Sequence, residues 1–583
     1  MGSFILEMSC DSKNSSQTLK KIFLVFIAFN MTLMICNFPD LNYNTNENSS
    51  LRLSLVNSIP LAWEWYRTCG TEDYDRSYDM QNDSMNNIYV LGRLDNKIVL
   101  LIYNRSGDLI YNNIINVTVA NPSLVSFATL SIDSQNNLYI VGDKLLMKVN
   151  SSGVVLWQKG LVGYTLYGIT IDKADCVILT GSIGNNLLLM KLNNSGEQLW
   201  NTTWNGLNGN CGYDIAIDDL NNIIVTGETN SFYNWWDMQY NADIPILKFN
   251  SSGNLLWNVT WTSPYDPLGY KYGFGNAIIL DSNENIYITG YSYRWPLILC
   301  YNQSDGSFWY DHIRKEGQGV DLEVDTNDNI FVLASYGYPS DFILIKYSNK
   351  GQQLWSRIWG GNDDDDPNGM ILFSSEEVFV VGSTNSYTNG NRDIVLVKFG
   401  PDTDNDRISD FNENTLYFTD PFNNDTDNEG IIDGLEVEIY NTNPNKNDTD
   451  DDLLSDYDEI FLYYTDPNKN ETDGDLLSDY DEIFLYYTNP NKNDTDGDLL
   501  TDYDEIFIYY TDPNKYDTDS DGFSDYDEIF RDMTDPNNYF SNITTYVITG
   551  ILSIFIVITI LFIFNKKKNI FSRLGKLFLR DKY

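Results

Sequence analysis

The stretch DTDSDGFSDYDE, residues 517–528, sets Asp517, Asp519, Asp521, Asp525 and Glu528 at loop positions 1, 3, 5, 9 and 12, with Gly522 at position 6. Carboxylates at that spacing can turn their oxygens onto one hard cation, as in an EF-hand loop. Upstream, the loop recurs every 23 residues without slipping, starting at Asp402, Asp425, Asp448, Glu471 and Asp494. The spacing predicts calcium (Ca2+) as cofactor. The candidate ligands of the first three loops are Asp402, Asp404, Asp406, Asp410 and Glu413, then Asp425, Asp427, Glu429, Asp433 and Glu436, then Asp448, Asp450, Asp452, Asp456 and Glu459. Those of the next two are Glu471, Asp473, Asp475, Asp479 and Glu482, followed by Asp494, Asp496, Asp498, Asp502 and Glu505. Position 6 is Gly only at Gly430 and Gly522, and elsewhere Arg407, Leu453, Leu476 and Leu499. A left-handed backbone there would strain a Leu by ~1 kcal/mol or more.

Residues 402–536 hold 41 Asp+Glu against 6 Lys+Arg, so −35 of the chain's −46 charge falls on them. A bare acidic tail would be expanded and solvated. Between the loops, however, an apolar unit repeats, as in Asp458 to Asn468 and Asp504 to Asn514. Ile460, Phe461, Tyr463 and Tyr464 give it a small core, and Thr465-Asp466-Pro467 stops a helical turn. The pattern resembles the bacterial form of the thrombospondin type 3 repeat over residues 402–536. That resemblance implies a chain wrapped around calcium ions, without paired helix-loop-helix hands.

Thr544 to Phe564 is a charge-free run of the length a bilayer span needs, followed at once by Lys566, Lys567 and Lys568. The positive-inside rule puts this basic tail, 565–583, in the cytoplasm and the preceding body outside. Lys20 and Lys21 precede an apolar stretch, Ile22 to Ile35, which reads as a signal peptide or signal anchor over 1–38, with a linker over 39–60. Four cysteines in the exported body, Cys69, Cys176, Cys211 and Cys300, are too few for a disulfide scaffold. Asn-x-Ser/Thr sequons such as Asn116 and Asn250 permit a glycoprotein. Strong negative charge excludes nucleic acid as a partner.

From Leu61 to about Phe399 a second unit recurs with a period near 48 residues. Its clearest copy has short β-branched runs at Ile223–Gly227, Ile244–Phe249 and Leu255–Trp261, joined by Asn-Asn and Ser-Gly turns. Its second-strand mark falls at Gly92, Gly142, Gly181, Gly227, Gly290, Ala334 and Gly382. Seven four-stranded units predict an all-β fold, a seven-bladed β-propeller over 61–400. The last copy lacks a fourth strand, and Leu61-Ala-Trp-Glu-Trp65 supplies one, closing the ring. The units resemble the bacterial β-propeller repeats of secreted and surface proteins. An extended calcium-binding stalk over 401–537 and a transmembrane helix over 544–564 complete the expected architecture.

Asp133, Asp172, Asp218, Asp281 and Asp325 precede the first hairpin turn of successive blades, where an Asx-turn role is expected. Trp157, Trp200, Trp257 and Trp355 are expected to pack between blades. The long connections all belong to one face, and they carry Trp235, Trp236, Tyr270, Tyr272 and Trp295. Aromatics so grouped suit a surface glycan or protein ligand. Asp363 to Asp366, on the same face, could hold a cation or be solvated. The body has a single His, His312, and neither a nucleophile elbow nor a zinc or phosphate-loop motif. The expectation is a non-enzymatic, membrane-anchored recognition or adhesion protein of the cell surface. The alternatives are a propeller enzyme (quinoprotein or glycan-degrading) and a structural envelope component.

Overall fold

The computed structural model describes residues 61–578 except 96, 116–127, 143, 207–208, 235–238, 264–271 and 389–390. The expected signal segment and linker, Trp235, Trp236 and Tyr270 therefore lie outside the described residues. Seven four-stranded antiparallel sheets follow one another as the blades of a β-propeller. The innermost strands, from Arg76–Asn82 through Asp365–Ser374, each touch the next, and the last touches the first. The ring is closed.

Closure uses the N-terminal strand. Leu61–Cys69 pairs antiparallel with Asp393–Pro401, outermost in the blade that also contains Glu377–Thr384 and Asp365–Ser374. The recurring second-strand glycine has a steric cause. The inner strand bulges opposite it, so a Cβ at Gly181, Gly227 or Gly290 would come within 1.9, 2.0 or 2.1 Å of a backbone carbonyl. Four of the glycine turns between third and fourth strands are constrained twice. Gly107, Gly196, Gly253 and Gly351 have φ of 79–82°, and each lies against the preceding blade's Trp65, Trp157, Trp200 or Trp309. The repeated tryptophans are packing, as their spacing predicts.

The turn aspartates do what Asx-turns require. Asp133 Oδ1, for example, accepts from the N–H groups of Gln135 and Asn137 at 3.0 and 2.8 Å. Asp83 does the same for Met85 and Asn87. The sequence reading missed their second partner, a lysine from the third strand. Lys148–Asp133, Lys191–Asp172, Lys248–Asp218 and Lys346–Asp325 are buried ion pairs at 2.6–3.0 Å. Along the axis, Asp79, Asp214 and Asp321 accept from Leu130, Ile278 and Met370 N–H groups of the following blade. Burial pushes these three carboxyls up to about 6, 7 and 7.

The acidic repeats begin directly after Pro401. Each unit has a one-turn helix that runs on into a single π-turn, such as Asp456–Asp458 and Glu459–Tyr463. It ends one residue before the expected stop, at a left-handed residue such as Tyr464 (φ 60°). Units contact their neighbours with fixed spacing. The Asn468 side chain donates to the Tyr440 carbonyl 28 residues earlier, and Asn491 and Asn514 repeat this one and two units on. Tyr440, Tyr463, Tyr486 and Tyr509 each meet the next unit's Phe edge-on at 5.9–6.1 Å. The array is a one-dimensional stack in which each unit leans on the next. A final helix, Phe540–Phe578, begins earlier and ends later than the apolar run that announces it.

Candidate metal centres of the repeat array

The five candidate positions of each loop divide the work among them. Position 1 folds the loop: Asp448 Oδ1 accepts from Asp451 N–H and Oδ2 from Leu453 N–H, and Asp494 and Asp517 do likewise. Asp402, Asp425 and Glu471 also accept loop N–H groups. Position 5 reaches both ways. Asp452 Oδ1 accepts from Leu454 N–H, while Oδ2 accepts from Tyr480 N–H of the next unit; Asp475 and Asp498 repeat this.

Position 9 behaves differently from an EF-hand. In all six units its carboxylate is clamped onto the Thr at position 2 of its own loop, as Asp456 is by Thr449 N–H (2.8 Å) and Oγ1 (2.7 Å). Thr403, Thr426, Thr449, Thr472, Thr495 and Thr518 are invariant across the copies, and that was the available sequence clue.

Two kinds of carboxylate group result. One joins positions 1, 3 and 5 of a single loop: Asp402, Asp404 and Asp406, or Asp448, Asp450 and Asp452. The other joins positions 5 and 12 of one loop to position 9 of the next: Asp406, Glu413 and Asp433, or Asp452, Glu459 and Asp479. A further group joins Asp427, Glu429 and Glu436. In every group the ligand atoms lie within 4.8 Å of one another. Candidate ligands of neighbouring loops thus come together, where the spacing alone suggested one self-contained site per loop.

Their oxygens are poised for a cation. Glu413, Glu436, Glu459, Glu482 and Glu505 are fully buried, and each Oε1 accepts from a Thr six residues on while Oε2 has no hydrogen-bond partner. One or both carboxylate oxygens of Asp404, Asp427, Asp450, Asp473, Asp496 and Asp519 are likewise unpartnered and buried. Burial first, and neighbouring carboxylates second, push the carboxyls of Glu459 and Glu482 up to about 9; burial also takes Asp406 to about 8. Buried anions packed this way need a counter-charge. An all-oxygen set without His or Cys suits a hard divalent ion, and its irregular geometry fits calcium better than magnesium.

Position 6 is left-handed in every unit, with φ of 85–89° at Arg407, Leu453, Leu476 and Leu499. The three Leu side chains are about 70% exposed, at 71, 73 and 69%. Replacing Leu453, Leu476 and Leu499 by Gly therefore sacrifices little packing. Each change is expected to raise the stability of the calcium-loaded array by about 0.5–1 kcal/mol, net of the entropy Gly adds to the unfolded chain. Chemical denaturation at saturating calcium reads this directly.

On the propeller, Tyr272 lies edge-on to Phe274 and Tyr291, which stack on each other at 5.3 Å. Trp295 packs against Tyr293 and His312. Beside them a cavity of about 380 Å³ is lined by Tyr291, Arg294, Glu316, Gly317, Gln318 and Ser335. The Asp363 to Asp366 run is already engaged: Ser340 and Ser386 bond Asp364, Asp365 and Asp366, and Arg392 pairs with Asp366. Those carboxylates serve loop structure.

Comparison with known proteins identifies three of the six units. The bacterial TSP3 repeat family matches residues 425–447, 494–515 and 517–538. These are bacterial TSP3 repeats. No curated protein sequence matches the chain. Among solved structures, a protein of unknown function from Bacteroides caccae is 12% identical over 49% of this chain and 93% of its own (TM-score 0.32). One from Dyadobacter fermentans is 8% identical over 58% of this chain and 99% of its own (TM-score 0.38). The extracellular domain of a putative hybrid two-component system from B. thetaiotaomicron is 13% identical over 57% of this chain (TM-score 0.38). This chain spans 42% of that domain's length. Within the final helix, Val547–Lys568 is long and apolar enough to cross a membrane.

Proposed function

We propose that the protein is a membrane-anchored surface receptor whose propeller head is held away from the bilayer on a calcium-stiffened TSP3 stalk. The observation that carries this reading is the order of the parts. A row of buried carboxylates lacking counter-charges stands between a β-propeller and an apolar helix. Lys566, Lys567 and Lys568 follow the helix and favour a cytoplasmic tail, which leaves head and stalk outside, where millimolar calcium is available. Calcium supplies the positive charge that lets Asp404, Glu413 and their counterparts remain buried as anions. In this reading the head spans 61–400, the stalk 401–537 and the membrane segment 544–564.

The head is the recognition module, and its ligand face is the one bearing Tyr272, Tyr291 and Trp295. Aromatic planes beside Arg294, Glu316, Gln318 and Ser335 suit the apolar faces and hydroxyls of a surface glycan better than a flat protein contact. A glycan array probed with the purified protein tests this. Arg294, which is exposed and ion-paired with Glu316, should tolerate Ala with no change in melting temperature. The same change should weaken glycan binding roughly tenfold, the equivalent of ~1.4 kcal/mol. Unchanged binding by Arg294→Ala would remove the cavity from the ligand site.

A further inference from the structure

The first loop is gripped by the head. Arg357, from the outer strand of the blade before the closing one, donates to Asp402 Oδ2 at 2.8 Å and to Asn405 Oδ1 at 2.7 Å. Ser409 Oγ and Asn412 Nδ2 donate to the Trp63 carbonyl at 3.5 and 3.1 Å. Trp63 sits in the strand that shuts the propeller, beside the register shift between Trp63 and Trp65. The next unit adds Glu438, whose carboxylate hydrogen-bonds the Trp63 side chain.

That same loop carries two carboxylate groups, Asp402–Asp404–Asp406 and Asp406–Glu413–Asp433. Asp406, Glu413 and Asp433 are fully buried, and Asp406 Oδ2 and Glu413 Oε2 have no hydrogen-bond partner. Ser409 and Asn412 lie between ligand positions 5 and 12, so the segment that grips the closing strand is the segment the ligands must fold.

We propose that this first site is a calcium-dependent latch: filling it holds Ser409 and Asn412 on Trp63 and so stabilises the closed propeller. The inference rests on the calcium reading of the stalk. With the carboxylates neutralised, the 402–413 loop stays closed and its two donors remain in place. Without a counter-charge, repulsion among Asp404, Asp406 and Glu413 opens the loop, and the closing strand loses these two hydrogen bonds while keeping its ladder with Asp393–Pro401, its core packing and the Glu64–Lys398 pair.

The sequence provides a clean probe. All 13 tryptophans lie between Trp63 and Trp359, in the head, and the stalk has none. Tryptophan fluorescence of the full chain in detergent therefore reports unfolding of the head alone. The head is expected to melt roughly 5 °C higher in millimolar calcium than in chelator, the scale set by losing a few hydrogen bonds in a domain of this size. Asp404→Asn, which removes a candidate ligand that the head does not touch, should abolish the shift. Asn412→Ala, which removes a donor and no ligand, should lower the melting temperature in calcium and cancel the response, with calcium uptake by equilibrium dialysis unchanged. Asp519→Asn, four units beyond the second, should leave the shift intact.

A wild-type head that melts identically with and without calcium, while dialysis records bound ions, overturns the latch and spares the stalk reading. Equal loss of the shift in Asp519→Asn and Asp404→Asn also overturns it, because the effect would then be unspecific. No calcium uptake at all would remove both readings. If Asp404→Asn fails to fold, Asn412→Ala carries the comparison.

Discussion

Lys346→Ala is expected to destabilise the propeller by about 3–5 kcal/mol, the cost of leaving a buried charge without its partner. The Lys346 and Asp325 side chains are 1% and 0% exposed, and their charged atoms meet at 3.0 Å. Asp325 Oδ1 also holds the N–H groups of Asn327 and Asn329, so the carboxylate cannot turn to water. Burial pushes the Asp325 carboxyl up, but its bonds to Asn329 and Lys346 outweigh that and hold it below the ordinary range. A depressed folded value gives stability that is present above the unfolded value, ~3.9, and is lost as pH falls. With Lys346 gone the direction should reverse, and the deficit should shrink on acidification as Asp325 takes up a proton. Thermal melts at pH 7 and pH 5 read both effects. The expected drop at pH 7 is roughly 4–7 °C for a domain of this size. Pairing Lys346→Met with Asp325→Asn should recover most of it, since an apolar replacement of the whole pair is far less costly than half of it.

Chelation is expected to unfold the stalk while the head stays folded. Amides bonded to carboxylates, such as Tyr480 N–H to Asp452 and Thr472 N–H to Asp479, depend on those side chains staying in place as anions. At neutral pH without a cation they repel one another, and −35 of charge drives the segment apart. Hydrogen exchange should show these amides protected in millimolar calcium and exchanging at least ~100-fold faster in chelator. Protons can substitute in part. Carboxyls whose folded values lie above their unfolded ones, Glu459 at about 9 and Asp450 at about 7 among them, favour the folded state when protonated. That contribution is lost as pH rises through about 7–9. The calcium-free stalk should therefore be better ordered at pH 5 than at pH 8. Equal exchange with and without calcium would rule out the counter-charge argument.

The propeller was legible because its signals are local. Turn glycines, short β-branched runs and a missing seventh fourth strand are each written in neighbouring residues, and Leu61–Cys69 closes the ring as that gap demanded. The Lys–Asp pairs were not legible, because a lysine in an apolar strand such as Asp341–Tyr347 looks like an interruption until its partner across the blade is known. The carboxylate spacing identified the candidate ligands, and the geometry regrouped them. Position 9 looked like a ligand of its own loop; only the stacking of units brings Asp433 to Asp406 and Glu413, or Asp479 to Asp452 and Glu459. The left-handed Leu residues at position 6 were foreseeable as strain, but their conformation in all units was not. The aromatic face is legible only in part: Tyr272 and Trp295 belong to packed aromatic clusters, and Trp235, Trp236 and Tyr270 fall outside the described residues.

In the proposed stalk, neighbouring repeats share the carboxylates that hold calcium. Native mass spectrometry of the protein released from detergent, before and after chelation, counts the ions directly. Shared groups within and between six loops predict more than six calcium ions per chain, lost together on chelation. Six or fewer would mean that the groups within loops and those between loops are not filled together, contradicting this arrangement, and none would contradict calcium binding altogether.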